Sequence, residues 1–110
     1  MKRILLAGAL CAAFTVPASA NITGNWRTGS GETAAIAKCG GSFCVTLKSG
    51  KYAGKSIGKF KGSGNNYSGT ITDPAKDRNY SGTATLSGSK LKMRGCALKV
   101  FCRTDTWSKR

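Results

Sequence analysis

Beyond residue 20, the apolar residues fall in short alternating runs separated by Gly, Ser, Asn and Asp, without helical periodicity of useful length. Alternation at a period of two is typical of β-strands that bury one face. The pattern predicts eight strands, approximately at 24–28, 33–39, 43–48, 56–61, 66–73, 79–87, 90–96 and 99–108. Short strands joined in chain order favour an all-β antiparallel meander, closed as a small barrel or packed as a sandwich.

A near-repeat identifies two neighbouring strands. The segment 66–72 (NYSGTIT) returns thirteen residues later as 79–85 (NYSGTAT), and Pro74 lies in the turn between them. Because this period is too short for a solenoid, we interpret the repeat as two adjacent strands with matching faces.

Side chains alternate between the two faces of a strand, so each predicted strand has an inward and an outward set. The predicted inward positions are apolar residues or glycine: Phe43, Val45, Leu47, Tyr67, Gly69, Ile71, Tyr80, Gly82, Ala84, Leu86, Leu91, Met93 and Gly95. The predicted outward positions are Ser68, Thr70, Thr72, Ser81, Thr83, Thr85, Lys90, Lys92 and Arg94.

Four cysteines follow residue 20, and they allow three disulfide pairings. They are Cys39, Cys44, Cys96 and Cys102. The strand phases place them on the outer face, and each consecutive pair flanks one short connection where opposite Cβ atoms come close. We therefore predict the bridges Cys39–Cys44 and Cys96–Cys102. The cysteine spacings and the absence of His fit common zinc sites poorly, so no metal is predicted.

An outward Cys102 turns its two neighbours, Phe101 and Arg103, inward. The sequence thus predicts that the last strand turns one aromatic and one basic side chain toward the interior.

The first twenty residues have the order of a secretory signal peptide. Lys2 and Arg3 precede the apolar run 4–16, and the small residues Ala18 and Ala20 form an A-x-A cleavage site. The apolar run is shorter than the roughly 20 residues that a bilayer crossing needs. We expect residues 1–20 to be removed and residues 21–110 to form one domain in the periplasm or outside the cell.

Positive charge dominates the composition. Eighteen basic residues stand against four acidic ones, and loss of the leader with its two basic residues would leave a formal charge of +12. Such a field attracts anionic envelope polymers, a membrane surface or nucleic acid, although secretion argues against nucleic acid in vivo. The candidate polyanion-binding residues are Lys48, Lys51, Lys55, Lys59 and Lys61. The alternative is a solvated lysine-bearing segment that discourages edge pairing.

Catalytic signatures are absent. The chain has no His, and its four acidic residues show no spacing typical of paired acid and base roles. The sequence therefore predicts a non-enzymatic protein without catalytic residues or a cofactor.

The ends of the predicted domain resemble a lipocalin-type barrel. Gly24 and Trp26 form a G-x-W on the first strand, and Arg103 and Trp107 lie on the last. The resemblance implies that Trp26, Arg103 and Trp107 close the barrel, with Trp26 across its closed end and Arg103 packed over the Trp26 ring.

Nearly the whole domain also resembles a family of small bacterial secreted proteins, domain of unknown function family 2147, which implies a lipocalin-like barrel in the bacterial envelope. The matching segments are 24–26 (GNW), Cys39 with Cys44, 67–74 (YSGTITDP), Tyr80, 91–95 (LKMRG) and 103–107 (RTDTW). One departure is the short, Lys-rich connection 49–56, where many relatives have a longer loop.

Two functions are compatible with this sequence. The first is a binding barrel for a small apolar or amphipathic ligand, with the candidate interior residues Val45, Tyr67, Ile71, Tyr80, Ala84 and Met93. The alternative is a barrel whose interior is filled by its own side chains. The second is an envelope interaction protein that docks on anionic polymers or lipid headgroups through surface lysines. The sequence does not indicate an oligomeric state.

Overall fold

A computed structural model describes residues 21–97 and 101–110, which form eight β-strands. The strands are β1 (Gly24–Arg27), β2 (Thr33–Cys39), β3 (Ser42–Leu47), β4 (Ser56–Ser63), β5 (Asn66–Asp73), β6 (Arg78–Ser87), β7 (Lys90–Ala97) and β8 (Phe101–Lys109). The predicted leader 1–20 and the predicted start of the last strand at 99–100 lie outside the described residues.

The strands form one closed antiparallel barrel in chain order. Closure occurs where Trp26 of β1 faces Lys109 of β8 and Arg27 faces Ser108. The predicted all-β meander of about eight strands is confirmed, and the structure selects the barrel over the sandwich.

The near-repeat forms the β5–β6 pair as predicted. Tyr67 lies opposite Ala84, and Ile71 lies opposite Tyr80. The two similar segments run antiparallel with their apolar positions on the same face.

The predicted inward face supplies most of the core. Its buried members are Phe43, Val45, Leu47, Tyr67, Ala84, Leu86, Leu91 and Met93. Ile22, Trp26, Ala34, Ile36, Phe60 and Trp107 complete the cluster. The outward residues Lys90, Lys92 and Arg94 are exposed.

The register pairs Phe101 with Ala97 and Arg103 with Gly95, which agrees with the predicted inward phase, but neither side chain is buried. Phe101 is 70% exposed, and Arg103 is exposed as well. Among the described residues, β1 pairs with β8 only through Trp26 and Arg27. Since β1 has four residues, it ends before it can cover the beginning of β8. Inward phase therefore does not produce burial there.

Three glycines lie side by side across neighbouring strands. Gly69 of β5 faces Gly82 of β6, which faces Gly95 of β7. A Cβ atom at Gly69 would overlap the carbonyl oxygen of Lys59 and approach the Phe60 Cα to 2.8 Å. The obstacle is the backbone of β4, which cannot move aside as a side chain can, so this position requires glycine.

We expect Gly69→Ala to lower the free energy of unfolding by about 3 kcal/mol, because the added methyl group overpacks the β4–β5 contact. Chemical denaturation followed by circular dichroism measures the change. The matched control is Gly95→Ala in the same glycine row, where a Cβ would meet its nearest atom, Cδ1 of Ile71, at an ordinary 3.4 Å. Equal stabilities of the two variants would contradict the close approach at Gly69.

Both predicted disulfides are present. Cys39 bonds to Cys44 with the Cα atoms 5.8 Å apart, and Cys96 bonds to Cys102 with the Cα atoms 4.0 Å apart. The first bridge fastens β2 to β3, whereas the second joins directly opposed residues of β7 and β8. Each bridge therefore stabilises one local strand pair.

We expect the double variant Cys96→Ser/Cys102→Ser to lose about 2 kcal/mol of stability, the loop-closure contribution for so short a loop. The midpoint of urea unfolding measures the loss. Reductant should then lower the midpoint of this variant further, through Cys39–Cys44. Wild-type protein whose midpoint is insensitive to reductant would contradict the stabilising role of both bridges.

Candidate functional site

The residues predicted to line a ligand site lie inside the barrel but are closely covered. Val45 and Ala84 are fully buried, Tyr67 and Met93 are buried, and Ile71 and Tyr80 are partly buried. Their apolar chemistry suits either a ligand or a packed core, so the space beside them decides between the two.

Side chains occupy the room beside the inward glycines. A Cβ atom at Gly82 would lie 2.6 Å from Cγ1 of Ile71, and one at Gly58 would lie 3.0 Å from Cε2 of Phe60. The small residues therefore accommodate Ile71 and Phe60. This arrangement favours a filled interior over open space beside Gly82.

Tyr67 packs against other residues of the protein at the closed end of the barrel. Its ring meets Phe43 edge-on at a centroid distance of 5.4 Å, and its hydroxyl donates to the Gly64 carbonyl at 3.0 Å. Burial raises the pKa of Tyr67, and a backbone hydrogen bond with Ile22 acts in the opposite direction. The neutral phenol thus belongs to the packed core.

The closed end is organised around Trp26, which is 1% exposed. The indole Nε1–H donates to the carbonyl of Ile22 at 3.0 Å, which draws the segment before β1 across the end of the barrel. Nζ of Lys109 lies 4.9 Å from the ring centroid and donates to the Thr23 carbonyl at 2.9 Å.

The residue predicted to pack over Trp26 was Arg103, and the structure corrects this to Lys109. The β1–β8 register places Lys109 directly opposite Trp26, whereas Arg103 lies opposite Gly95. A basic residue of the last strand does cover the ring, but it comes from the other end of β8.

Trp107, the third predicted barrel-closing residue, is 5% exposed and anchors a different contact. Its Nε1–H donates to Oδ2 of Asp105 at 2.9 Å, and the backbone N–H of Gly29 donates to the same oxygen at 3.1 Å. Asp105 therefore ties the β1–β2 connection to β8, where β1 itself no longer reaches.

We expect Lys109→Met to lower the free energy of unfolding by about 1 kcal/mol, because it removes a cation from the face of Trp26. Arg103→Met removes the same charge from an exposed site and should change stability by less than about 0.5 kcal/mol. Urea denaturation of both variants gives the comparison. A larger loss in the Arg103 variant would contradict the assignment of Lys109.

The five candidate lysines are all exposed, but the structure divides them into two groups. Lys48, Lys51 and Lys55 lie on the β3–β4 connection, which backbone hydrogen bonds close into a compact loop. Nζ of Lys51 already lies 5.7 Å from the centroid of Tyr52. Lys59 and Lys61 lie instead on the outer face of β4, within the sheet.

The strand register extends the two β4 lysines into rows across the outer face. The first row is Lys59, Thr70, Ser81, Cys96 and Cys102. The second row is Lys61, Ser68, Thr83, Arg94 and Thr104. The third row is Ser63, Asn66, Thr85, Lys92 and Thr106. No Asp or Glu occurs in these rows, so all their charged side chains are cations, and the rest are hydroxyl groups, the Asn66 amide and the Cys96–Cys102 disulfide.

Two adjoining depressions lie on this face, and we call them together the outer groove. The larger, about 620 Å³, is lined by Ser68, Gly69, Ser81, Gly82, Thr83, Arg94, Cys96 and Cys102. The smaller, about 270 Å³, is lined by Ser42, Lys59, Phe60, Lys61, Ser68, Gly69 and Thr70. Ser68 and Gly69 belong to both, so the outer groove crosses the strands from β4 to the β7–β8 disulfide.

The sequence predicts an outward Arg94 but gives no sign that it lies near Lys59 and Lys61. These residues are more than thirty positions apart, and only the pairing of β4 through β7 brings them to one surface. Register propagated from one turn to the next could have suggested the association, because it determines which outward positions are neighbours.

The described residues contain no grouping of three or more His, Cys, Asp or Glu side chains suited to a metal ion. Within the same residues, no helix has the length and apolarity to span a membrane.

Residues 49–109 match the family described as an uncharacterized protein conserved in bacteria (DUF2147). This range contains β4 to β8 and most of the outer groove, whereas Trp26 and the Cys39–Cys44 bridge precede it. No curated protein and no solved structure gives a significant match to the chain.

Proposed function

The chain belongs to the DUF2147 family of uncharacterized bacterial proteins, and we propose that it is a non-enzymatic binding protein that docks on anionic polymers. The supporting observation is the outer face of β4 to β7, where Lys59, Lys61, Lys92 and Arg94 are exposed on rows without a carboxylate. Cations concentrated on one face attract polyanions more strongly than the same charges dispersed over the molecule.

The interior supports this proposal over a small-ligand barrel. Ile71 and Phe60 fill the space beside the inward glycines, and five of the six predicted interior residues, all except Tyr80, belong to the buried cluster or pack against it. A barrel with a packed interior is a scaffold whose outer face is available for binding.

Two further features agree with an envelope location. The disulfides suit an oxidising compartment such as the periplasm. The chain has no His, the commonest general base, which agrees with a binding role.

Binding of the purified chain to alginate, a carboxylate-bearing polymer, tests the proposal. Affinity should fall steeply as ionic strength rises from about 0.01 M to 1 M, because the Debye length shrinks from about 30 Å to 3 Å. Isothermal titration calorimetry at several salt concentrations gives the slope. Affinity that does not change with salt, or no binding at low salt, would contradict the proposal.

Two triple variants locate the binding face, since each removes three positive charges. Lys59→Gln/Lys61→Gln/Arg94→Gln should weaken alginate binding at least about tenfold and reduce the salt slope by about two to three. The control, Lys48→Gln/Lys51→Gln/Lys55→Gln, should have a smaller effect on both. Equal effects would mean that net charge acts without a defined face.

A further inference from the structure

We propose that the outer groove is a binding site for an acidic polysaccharide, a chain of sugars that carries carboxylate, phosphate or sulfate groups. The inference rests on the proposed function and identifies the polymer class. It is supported by the shape of the groove, the spacing of its cations and the hydroxyl groups between them.

The groove lies over the glycine row. Barrel strands coil into a hyperboloid, so the outer surface is concave along the strands. The close contact between Gly69 and the β4 backbone coincides with this concavity. The floor is the backbone at Gly69 and Gly82, and exposed Ser68, Ser81 and Thr83 stand along it. The resulting depression runs across the strands and can receive an extended chain.

The second row places one cation at each side of the groove. Lys61 on β4 and Arg94 on β7 are three strand steps apart, so their backbones are about 14 Å apart along the sheet. Ser68 and Thr83 occupy the two positions between them. This order suits a ligand whose anionic groups are separated by neutral, hydrogen-bonding units.

The hydroxyl groups favour an anionic chain of sugars over anionic polymers without hydroxyl groups. A Ser or Thr hydroxyl both donates and accepts hydrogen bonds, as does each hydroxyl of a sugar. Arg94 presents a planar fork that binds carboxylate or phosphate in a bidentate manner. Anion recognition and sugar recognition thus occur side by side.

The lining fits two competing anionic partners less well. Single-stranded nucleic acid gains much of its affinity from bases stacked on aromatic rings, and Phe60, the aromatic residue of the lining, is 1% exposed. An anionic bilayer is flat, whereas the hydroxyl groups lie in a depression without an exposed large apolar side chain that could enter lipid.

The test compares three probes with the purified full-length domain: alginate carries sugars and carboxylates, polyacrylate carries carboxylates alone, and dextran carries sugars alone. Wild-type protein should bind alginate more tightly than polyacrylate at equal carboxylate concentration, with little affinity for dextran. The variant Ser68→Ala/Ser81→Ala/Thr83→Ala should raise the Kd for alginate by about tenfold or more through three lost hydrogen bonds. Its Kd for polyacrylate should change by less than about twofold, because no charge is removed.

A matched control removes three exposed hydroxyl groups from the third row, just outside the lining. Ser63→Ala/Thr85→Ala/Thr106→Ala should bind all three probes as the wild type does. Circular dichroism and thermal unfolding show whether each variant keeps the fold, as expected for exposed substitutions.

The outcomes separate this inference from the proposed function. Salt-dependent binding of polyacrylate and alginate that the hydroxyl variant retains unchanged would overturn the polysaccharide site and leave polyanion docking intact. Failure of the wild type to bind either polyanion at low salt would overturn both.

Discussion

The close approach of β4 and β5 at Gly69 governs both surfaces of this barrel. A side chain there would collide with the β4 backbone, and the neighbouring Gly82 leaves room that Ile71 fills. On the inside, Ile71 and Phe60 thus lie close against the inward glycines. The outside acquires a depression across the same strands. One backbone constraint therefore accompanies both a packed interior and a concave outer face.

The apolar core and the two disulfides both stabilise this small domain. A chain of this size buries a modest share of its surface, so its apolar core alone gives limited stability. Trp26 and Phe60 are almost completely buried, and the disulfides fasten two strand pairs from the outside. Because neither contribution involves Lys59, Lys61 or Arg94, these charges on the outer face can be exchanged with little effect on folding.

The sequence was sufficient to predict features that depend on local alternation. Phase along one strand correctly placed Val45 and Met93 inside, and the hairpins gave both disulfides. Features that depend on the register of strands far apart in the sequence could not be predicted. Arg103 came from the lipocalin resemblance, and the pattern does not show that the short strand β1 meets the end of β8 that carries Lys109. The grouping of Arg94 with Lys61 was missed for the same reason, since it requires three successive registers.

Register also distinguishes the outer groove from the lysine-bearing loop. Lys61 and Arg94 extend from hydrogen-bonded strands that fix the spacing of their backbones, with Ser68 held between them. Binding there costs the entropy of side chains but little entropy of the backbone. A rigid spacing favours polymers whose charges recur at a compatible distance and gives less advantage to those with dense or irregular charge. The fixed strand register can thus make the outer groove selective among anionic polymers.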